Sequence, residues 1–126
     1  MDWNPFNVPA KKPVFTAEPS LRIYRGRTFA FGPGKAALLE GIDRTGSISE
    51  AAKAMEMSYM KAWKLVQSLE RAFPEPLIQK RRGGHTRGGA TLSKTGHAVL
   101  KLYREMERAT KTATVAPLRK LSRLVK

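Results

Sequence analysis

Three helical patterns follow one another with short connections in the middle of the chain, and this arrangement most constrains how the chain can fold. Apolar residues recur at helical spacing over three ranges: 35–45, 49–55 and 59–73. Gly46 is suited to end the first helix, Ser49 or Ser47 to cap the second, and Ser58 to cap the third. The sequence therefore predicts three consecutive helices, with a tight turn at Glu56 between the second and the third.

Strand patterns flank these helices on both sides. Residues 21–25 alternate apolar and basic side chains, residues 28–31 suit a return strand, and Gly26 lies in the turn between them, which predicts a short hairpin. Two further short strands enclose a basic, glycine-rich loop, and a fourth helix follows them. Their predicted ranges are 77–80 and 90–92 for the strands, 81–89 for the loop, and 94 to about 112 for the helix, which Ser93 caps.

The order of these elements is that of a winged helix-turn-helix, a mainly α fold with a small β component. Such a fold has a three-helix core, a β wing and a long C-terminal helix. Its second and third helices must cross closely, and the small residues Ala51 and Ala52 are predicted to allow this. The third helix must present its first turns to the major groove of DNA, and the wing must approach the backbone. The residues predicted to do so are Ser58, Tyr59, Met60, Lys61 and Lys64 on the helix, and Arg81, Arg82, Gly83, Gly84, Arg87, Gly88 and Gly89 on the wing.

The distribution of charge agrees with contacts to a polyanion. The formal net charge is +14, yet residues 36–79 are nearly neutral. The excess charge lies in three flanking segments: 21–35, 80–97 and 111–126. Basic segments around a neutral core are expected for phosphate contacts, so double-stranded DNA is the predicted partner. Trp63 is predicted to pack in the core or at an interface rather than to stack on a base.

Catalytic, cofactor-binding and metal-binding functions have no supporting pattern. The chain has no Cys, which excludes thiolate zinc sites and cysteine nucleophiles. His85 and His97 are too few for a metal site, and no acid pair or nucleophile with a base is apparent. We therefore expect no enzyme, no cofactor and no metal. No apolar stretch approaches the ~20 residues that span a bilayer, and no signal peptide is apparent, which predicts a cytoplasmic, nucleoid-associated protein.

Five short motifs stand in a fixed register along the chain. They are Gly32-Pro33-Gly34-Lys35, Gly46-Ser47-Ile48-Ser49, Met57-Ser58-Tyr59, Ala62-Trp63, and Gly83-Gly84 with Gly88-Gly89-Ala90-Thr91-Leu92. Together, over roughly residues 21–110, they resemble the DNA-binding domain of the ModE family. The members of this family are bacterial molybdate-responsive transcriptional regulators, whose helix-turn-helix is similar to that of LysR-type regulators.

The resemblance implies a dimeric winged helix that binds a palindromic operator. The helix and wing residues named above fall on the family's recognition helix and wing. The family's long C-terminal helix, which this chain matches from Ser93 onward, helps to form the dimer. The apolar stripe of this helix contacts either its own domain or a second subunit, and it consists of Val99, Leu102, Tyr103 and Met106.

Three departures from the family pattern have physical consequences. Glu56 stands where the family usually has Gly in the turn, and a positive φ at this position would cost about 1 kcal/mol. Thr86 and Arg87 replace wing glycines, which predicts a stiffer and more basic wing. Residues 111–126 are too few to form the family's oxyanion-binding domain, so we do not expect molybdate binding in this chain.

The sequence thus predicts a flexible or loosely docked N-terminal arm at 1–20, the winged helix-turn-helix at 21–112, and a basic, disordered tail at 113–126. The predicted function is sequence-specific DNA binding in transcription, as a homodimer. Two alternatives stay open. One is a nonspecific architectural nucleic-acid-binding protein, and the other is an adaptor that binds an acidic protein through the tail.

Overall fold

Two antiparallel hairpins and five helices make up the residues that the structure describes. The structure is a computed structural model that describes residues 14–80 and 89–125. In chain order, the elements are β1 (Ile23–Arg25), β2 (Thr28–Phe31), α1 (Pro33–Thr45), α2 (Ile48–Ala54), α3 (Tyr59–Ala72), β3 (Ile78–Lys80), β4 (Ala90–Leu92), α4 (Lys94–Ala113) and α5 (Val115–Ser122). The predicted fold class, mainly α with a small β component in winged-helix order, is confirmed.

Capping residues and turn residues set the ends of the central helices. Helix α1 begins two residues before the predicted start, because Pro33 has the φ that the first helical turn needs. It ends at Gly46, whose φ of 72° is in the left-handed region. The hydroxyl of Ser47, rather than that of Ser49, accepts a hydrogen bond from the amide of Glu50 and so caps α2. The apolar faces of the helices form one core, together with Phe31, Leu77 and Tyr103.

Helices α1 and α2 pack closely against each other at Gly41 and Ala51. A Cβ added to Gly41 of α1 would lie 3.0 Å from the Cβ of Ala51. The Ala51 side chain thus lies against α1, and its predicted role between α2 and α3 stays a prediction. Ala52 is buried in the same core cluster.

The two hairpins lie on either side of the helical core in sequence. In the first, Gly26 has a φ of 61° in the turn between β1 and β2, as the sequence predicts. In the second, β3 pairs with β4 in the register Ile78 to Leu92, Gln79 to Thr91 and Lys80 to Ala90. The inner ends of this second hairpin are therefore Lys80 and Ala90, with Gly89 beside Ala90.

Helix α4 is held against the core at its first turn and at its middle. The Ser93 hydroxyl accepts a hydrogen bond from the amide of Gly96 and donates one to the carbonyl of Pro76. Further along α4, the Tyr103 hydroxyl donates a hydrogen bond of 2.7 Å to the carbonyl of Leu21, and the Tyr103 ring packs edge-on against Phe31. These contacts fix the direction in which α4 leaves the core.

Two segments flank the winged helix-turn-helix, and the prediction for the C-terminal one is wrong. Residues 14–20 belong to the predicted flexible or loosely docked arm, and among them the Glu18 carboxylate lies 3.1 Å from the Lys111 ammonium group of α4. Residues 1–13 lie outside the described residues. The predicted disorder of the basic tail is wrong, because Val115–Ser122 forms α5. Pro117 is compatible with this helix because it lies in the first turn, where its missing amide is not needed.

Candidate nucleic-acid interface

The first turns of α3 present one apolar face to the core and a polar face to solvent. Ala62, Val66 and Leu69 are buried. On the outer side, Tyr59 is 52% exposed and Met60 is 60% exposed, so two large side chains have no internal packing role to explain them. The structure thus places the predicted recognition residues at the accessible N-terminal part of the helix.

The polar residues of this helix start are also available to a ligand. The Ser58 hydroxyl accepts a hydrogen bond of 3.1 Å from the amide of Lys61, so Ser58 acts as the N-cap of α3. Lys61 and Lys64 are exposed. Within residues 14–80 and 89–125, no carboxylate lies within 4.0 Å of either ammonium group. Their charges are therefore not neutralised by an internal ion pair in that part of the chain.

The turn that sets the angle of α3 has an unusual backbone. Glu56 has a φ of 54°, the single positive value among the non-glycine residues that the structure describes. The Glu56 amide donates to the Lys53 carbonyl, and the Met57 amide donates to the Ala52 carbonyl, so this conformation ends α2 tightly. The backbone at this position is therefore in the left-handed region, the case for which the sequence predicts a cost, and the residue there is Glu56 instead of glycine.

One end of the basic loop is held by α3. The ammonium nitrogen of Lys80 lies 3.8 Å from the centre of the Trp63 ring. Trp63 is half-buried and packs against the core, as the sequence predicts. A cation over an indole ring is attracted by its π electrons. The chain therefore leaves β3 directly beside the helix that carries Lys61 and Lys64.

The other end of the loop is held by the junction of α1 and α2. The Ala90 amide donates a hydrogen bond of 2.8 Å to the Gly46 carbonyl, and Gly89 forms an isolated bridge with Ser47. Gly89 is buried, so it belongs to the base of the loop rather than to a surface open to DNA. The other predicted wing residues lie outside the described residues, and their role stays a prediction: Arg81, Arg82, Gly83, Gly84, Arg87 and Gly88.

Sequence reasoning did not single out Lys80 as a functional residue. Its only signal in the sequence is that it is the last residue before the loop, where its charge is one among several. The contact with Trp63 joins residues 17 positions apart, and no local pattern predicts it. Lys80 and Trp63 together are what connect the start of the loop to α3.

The apolar stripe predicted on α4 divides into two faces. Tyr103 is buried in the core of its own domain, so the prediction that it contacts a second subunit does not agree with the structure. Val99 is half-buried and packs on the same core. Leu102 and Met106, in contrast, are 59% and 45% exposed. The part of the predicted apolar stripe that is open to a partner therefore consists of Leu102 and Met106.

Among the described residues, no group of three or more His, Asp or Glu side chains could hold a metal ion. In that same part of the chain, no helix has both the length and the apolar character needed to cross a membrane.

An exposed helix start that follows a tight turn, next to the base of a basic hairpin loop, defines a helix-turn-helix protein of the winged type. The chain belongs to the bacterial regulatory helix-turn-helix proteins of the LysR family, whose family model matches residues 35–97. This family is regulatory and not enzymatic.

The chain is also similar to part of several curated proteins. The Molybdenum transport protein ModE of Azotobacter vinelandii is 40% identical over 70 residues, which are 56% of this chain and 26% of that protein. The Transcriptional regulator ModE of Yersinia pestis is 39% identical over 77 residues, 61% of this chain and 29% of that protein. The Molybdenum-pterin-binding protein MopB of Rhodobacter capsulatus is 38% identical over 76 residues, 60% of this chain and 28% of that protein. The chain thus matches less than a third of the length of these relatives.

Proposed function

We propose that this protein is a sequence-specific DNA-binding transcriptional regulator. The observation that carries the proposal is the arrangement at α3: the side chains of Tyr59, Met60, Lys61 and Lys64 are exposed on the helix whose Trp63 contacts Lys80, at the base of the basic loop. Membership of a regulatory helix-turn-helix family supports the same function. Relatives named as ModE transcriptional regulators support it as well.

In this proposal the N-terminal half of α3 enters the major groove. An α-helix fits this groove, and the groove presents a distinct pattern of hydrogen-bonding groups for each base pair. Tyr59 and Met60 would contact base edges, whereas Lys61 and Lys64 would contact phosphates or bases. The loop of residues 81–88 would contact the adjacent DNA backbone. Its attachment through Lys80 and through Ala90, whose amide donates to the Gly46 carbonyl, favours this because both ends of the loop lie next to the helix-turn-helix.

The regulator would act as a homodimer through α4. Leu102 and Met106 form the apolar part of this helix that its own domain leaves exposed. A second copy that covers them would give two α3 helices related by twofold symmetry, with half-sites separated by ~34 Å or a multiple of it. The test is sedimentation of the wild type and of Leu102→Glu. A mass that falls from dimer to monomer in the variant is expected, and a monomeric wild type would contradict the dimer.

The experiment that tests the function is selection of bound sequences from a random duplex library. We expect a palindromic consensus, and competition against random duplex at physiological salt should show a preference of at least ~10³-fold. Equal affinity for both duplexes would reject this function in favour of the second candidate, a nonspecific architectural nucleic-acid-binding protein. The observation that favours the second candidate is the basic helix α5, which has no buried residue and carries Arg119 and Lys120.

A further inference from the structure

A cavity of about 350 Å³ lies between the first hairpin and the C-terminal half of α3. Phe29 and Ala30 of β2 line it from one side, and Ser68 and Arg71 of α3 line it from the other. Arg25 from the end of β1 completes the wall. This volume is at the lower end of the range for small-molecule sites. Nothing in the DNA-binding proposal uses these residues.

Cationic groups gather at this cavity without a compensating acid. Arg25 and Arg71 are both part of its lining. Next to the wall, Lys35 is only 5% exposed, its ammonium group donates a hydrogen bond of 3.0 Å to the Ala30 carbonyl, and it lies 4.8 Å from the centre of the Phe29 ring. Burial, and then the charge of Arg71, lower the pKa of Lys35. Within residues 14–80 and 89–125, no carboxylate lies within 4.0 Å of any of these three groups.

Such a cluster is stabilised by an anion. The positive charge of Arg71 disfavours the charged form of the buried Lys35, and a negative ligand relieves this repulsion. Arg25 and Arg71 both line the recess, and a guanidinium group suits an oxyanion because it can donate two parallel hydrogen bonds to a carboxylate or a phosphate. Thr28, in the same wall, adds a hydroxyl donor, and Phe29 adds an apolar surface for the rest of the ligand.

We propose that this cavity binds a small molecule that carries a carboxylate or phosphate group, held by Arg25 and Arg71. A DNA phosphate could supply the same chemistry, because Ser68 and Arg71 continue the face of α3 that carries Lys64. The recess favours the free small molecule. It has an inner wall of Phe29 and Ala30, whereas a backbone phosphate approaches from a continuous duplex surface and leaves such a wall unused. The proposal does not depend on whether the protein binds DNA.

The test is an NMR titration of the full ¹⁵N-labelled chain with potassium phosphate, and separately with sodium benzoate, at constant ionic strength. With at least one of these anions, we expect the amide signals of Phe29, Ala30, Ser68 and Ala72 to shift and saturate with a common dissociation constant. Arg71→Gln should weaken this binding at least fivefold, and the matched variant Arg44→Gln on α1 should leave it unchanged. Failure of both anions to saturate, or equal binding by Arg71→Gln, would overturn the proposal.

A second variant tests the cavity without changing charge. Ala72→Leu places extra methyl groups at the lining and should abolish binding while the fold, followed by circular dichroism, is kept. If Arg71→Gln does not fold, the result for Ala72→Leu tests the proposal alone. An affinity for the anion equal to that of the wild type in Ala72→Leu would contradict the site. Titration with a DNA duplex distinguishes a free small molecule from a DNA phosphate as the ligand of this cavity. The small-molecule proposal is overturned if only the duplex shifts these signals and Arg71→Gln lowers the salt slope of DNA binding by ~0.9.

Discussion

The Lys80 ammonium nitrogen lies 3.8 Å from the centre of the Trp63 ring, and this contact joins the end of β3 to the middle of α3. A loop that is anchored in this way at the residue before it has fewer conformations to lose when it binds a partner. The contact therefore links the packing of the core to the position of the basic loop.

We expect a measurable coupling between these two residues. Trp63→Leu and Lys80→Met should each reduce the free energy of unfolding, and a double-mutant cycle should give a coupling of about 0.5–1 kcal/mol, the size of a cation–π interaction near the surface. Urea unfolding of the wild type and the three variants measures it. Additive effects of the two substitutions would show that the contact contributes nothing in solution.

Charge removal at the proposed interface should change how DNA binding depends on salt. Lys64→Ala and Arg87→Ala should each weaken binding and lower the slope of log affinity against log salt by ~0.9, because each removes one phosphate contact. Lys101→Ala, an exposed lysine on α4, is the matched control and should leave the slope unchanged. Fluorescence anisotropy at several salt concentrations provides the slopes. If both interface variants keep the wild-type slope, these residues do not contact phosphates.

Local signals in the sequence are sufficient to predict most helix boundaries. Ser58 and Ser93 were predicted as N-caps, and both hydroxyls accept the expected backbone hydrogen bonds. Such signals work because a cap, a glycine stop and an apolar period all act within a few residues. The turn at Gly26 belongs to the same class, since its positive φ depends only on the residue type and its neighbours.

Long-range partners could not be predicted in the same way. Tyr103 belongs to an apolar stripe that fits either the core or a second subunit, and its choice of the core depends on Leu21, 82 positions away, whose carbonyl accepts its hydrogen bond. The same limit applies to Lys80 and Trp63. Helix α5 was missed for a different reason: its charge and Pro117 suggested disorder, although a proline in the first turn does not prevent a helix.

Gly96 tests how closely α4 must approach the second hairpin. A Cβ added to Gly96 would overlap the carbonyl oxygen of Leu77, which is backbone and cannot move aside easily. Gly96→Ala should therefore reduce the free energy of unfolding by about 1–2 kcal/mol, because overpacking outweighs the gain of about 1 kcal/mol in helix propensity. Gly34→Ala in α1 is the control, since a Cβ there meets nothing within 4 Å, and it should stabilise the protein. Stabilisation by both substitutions would contradict the close contact.

Glu56 tests the backbone of the turn before α3. Its φ of 54° costs a residue with a side chain about 1–2 kcal/mol, whereas glycine adopts this conformation without strain but is more flexible in the unfolded chain. Glu56→Gly should therefore be more stable than Glu56→Ala by about 0.5–1 kcal/mol, and Glu56→Val should be the least stable of the three because it is β-branched. Glu56→Ala serves as the matched control, as it removes the carboxylate but keeps the Cβ. Thermal and urea unfolding measure the order, and an alanine variant as stable as the glycine variant would show that the turn relaxes out of the left-handed region.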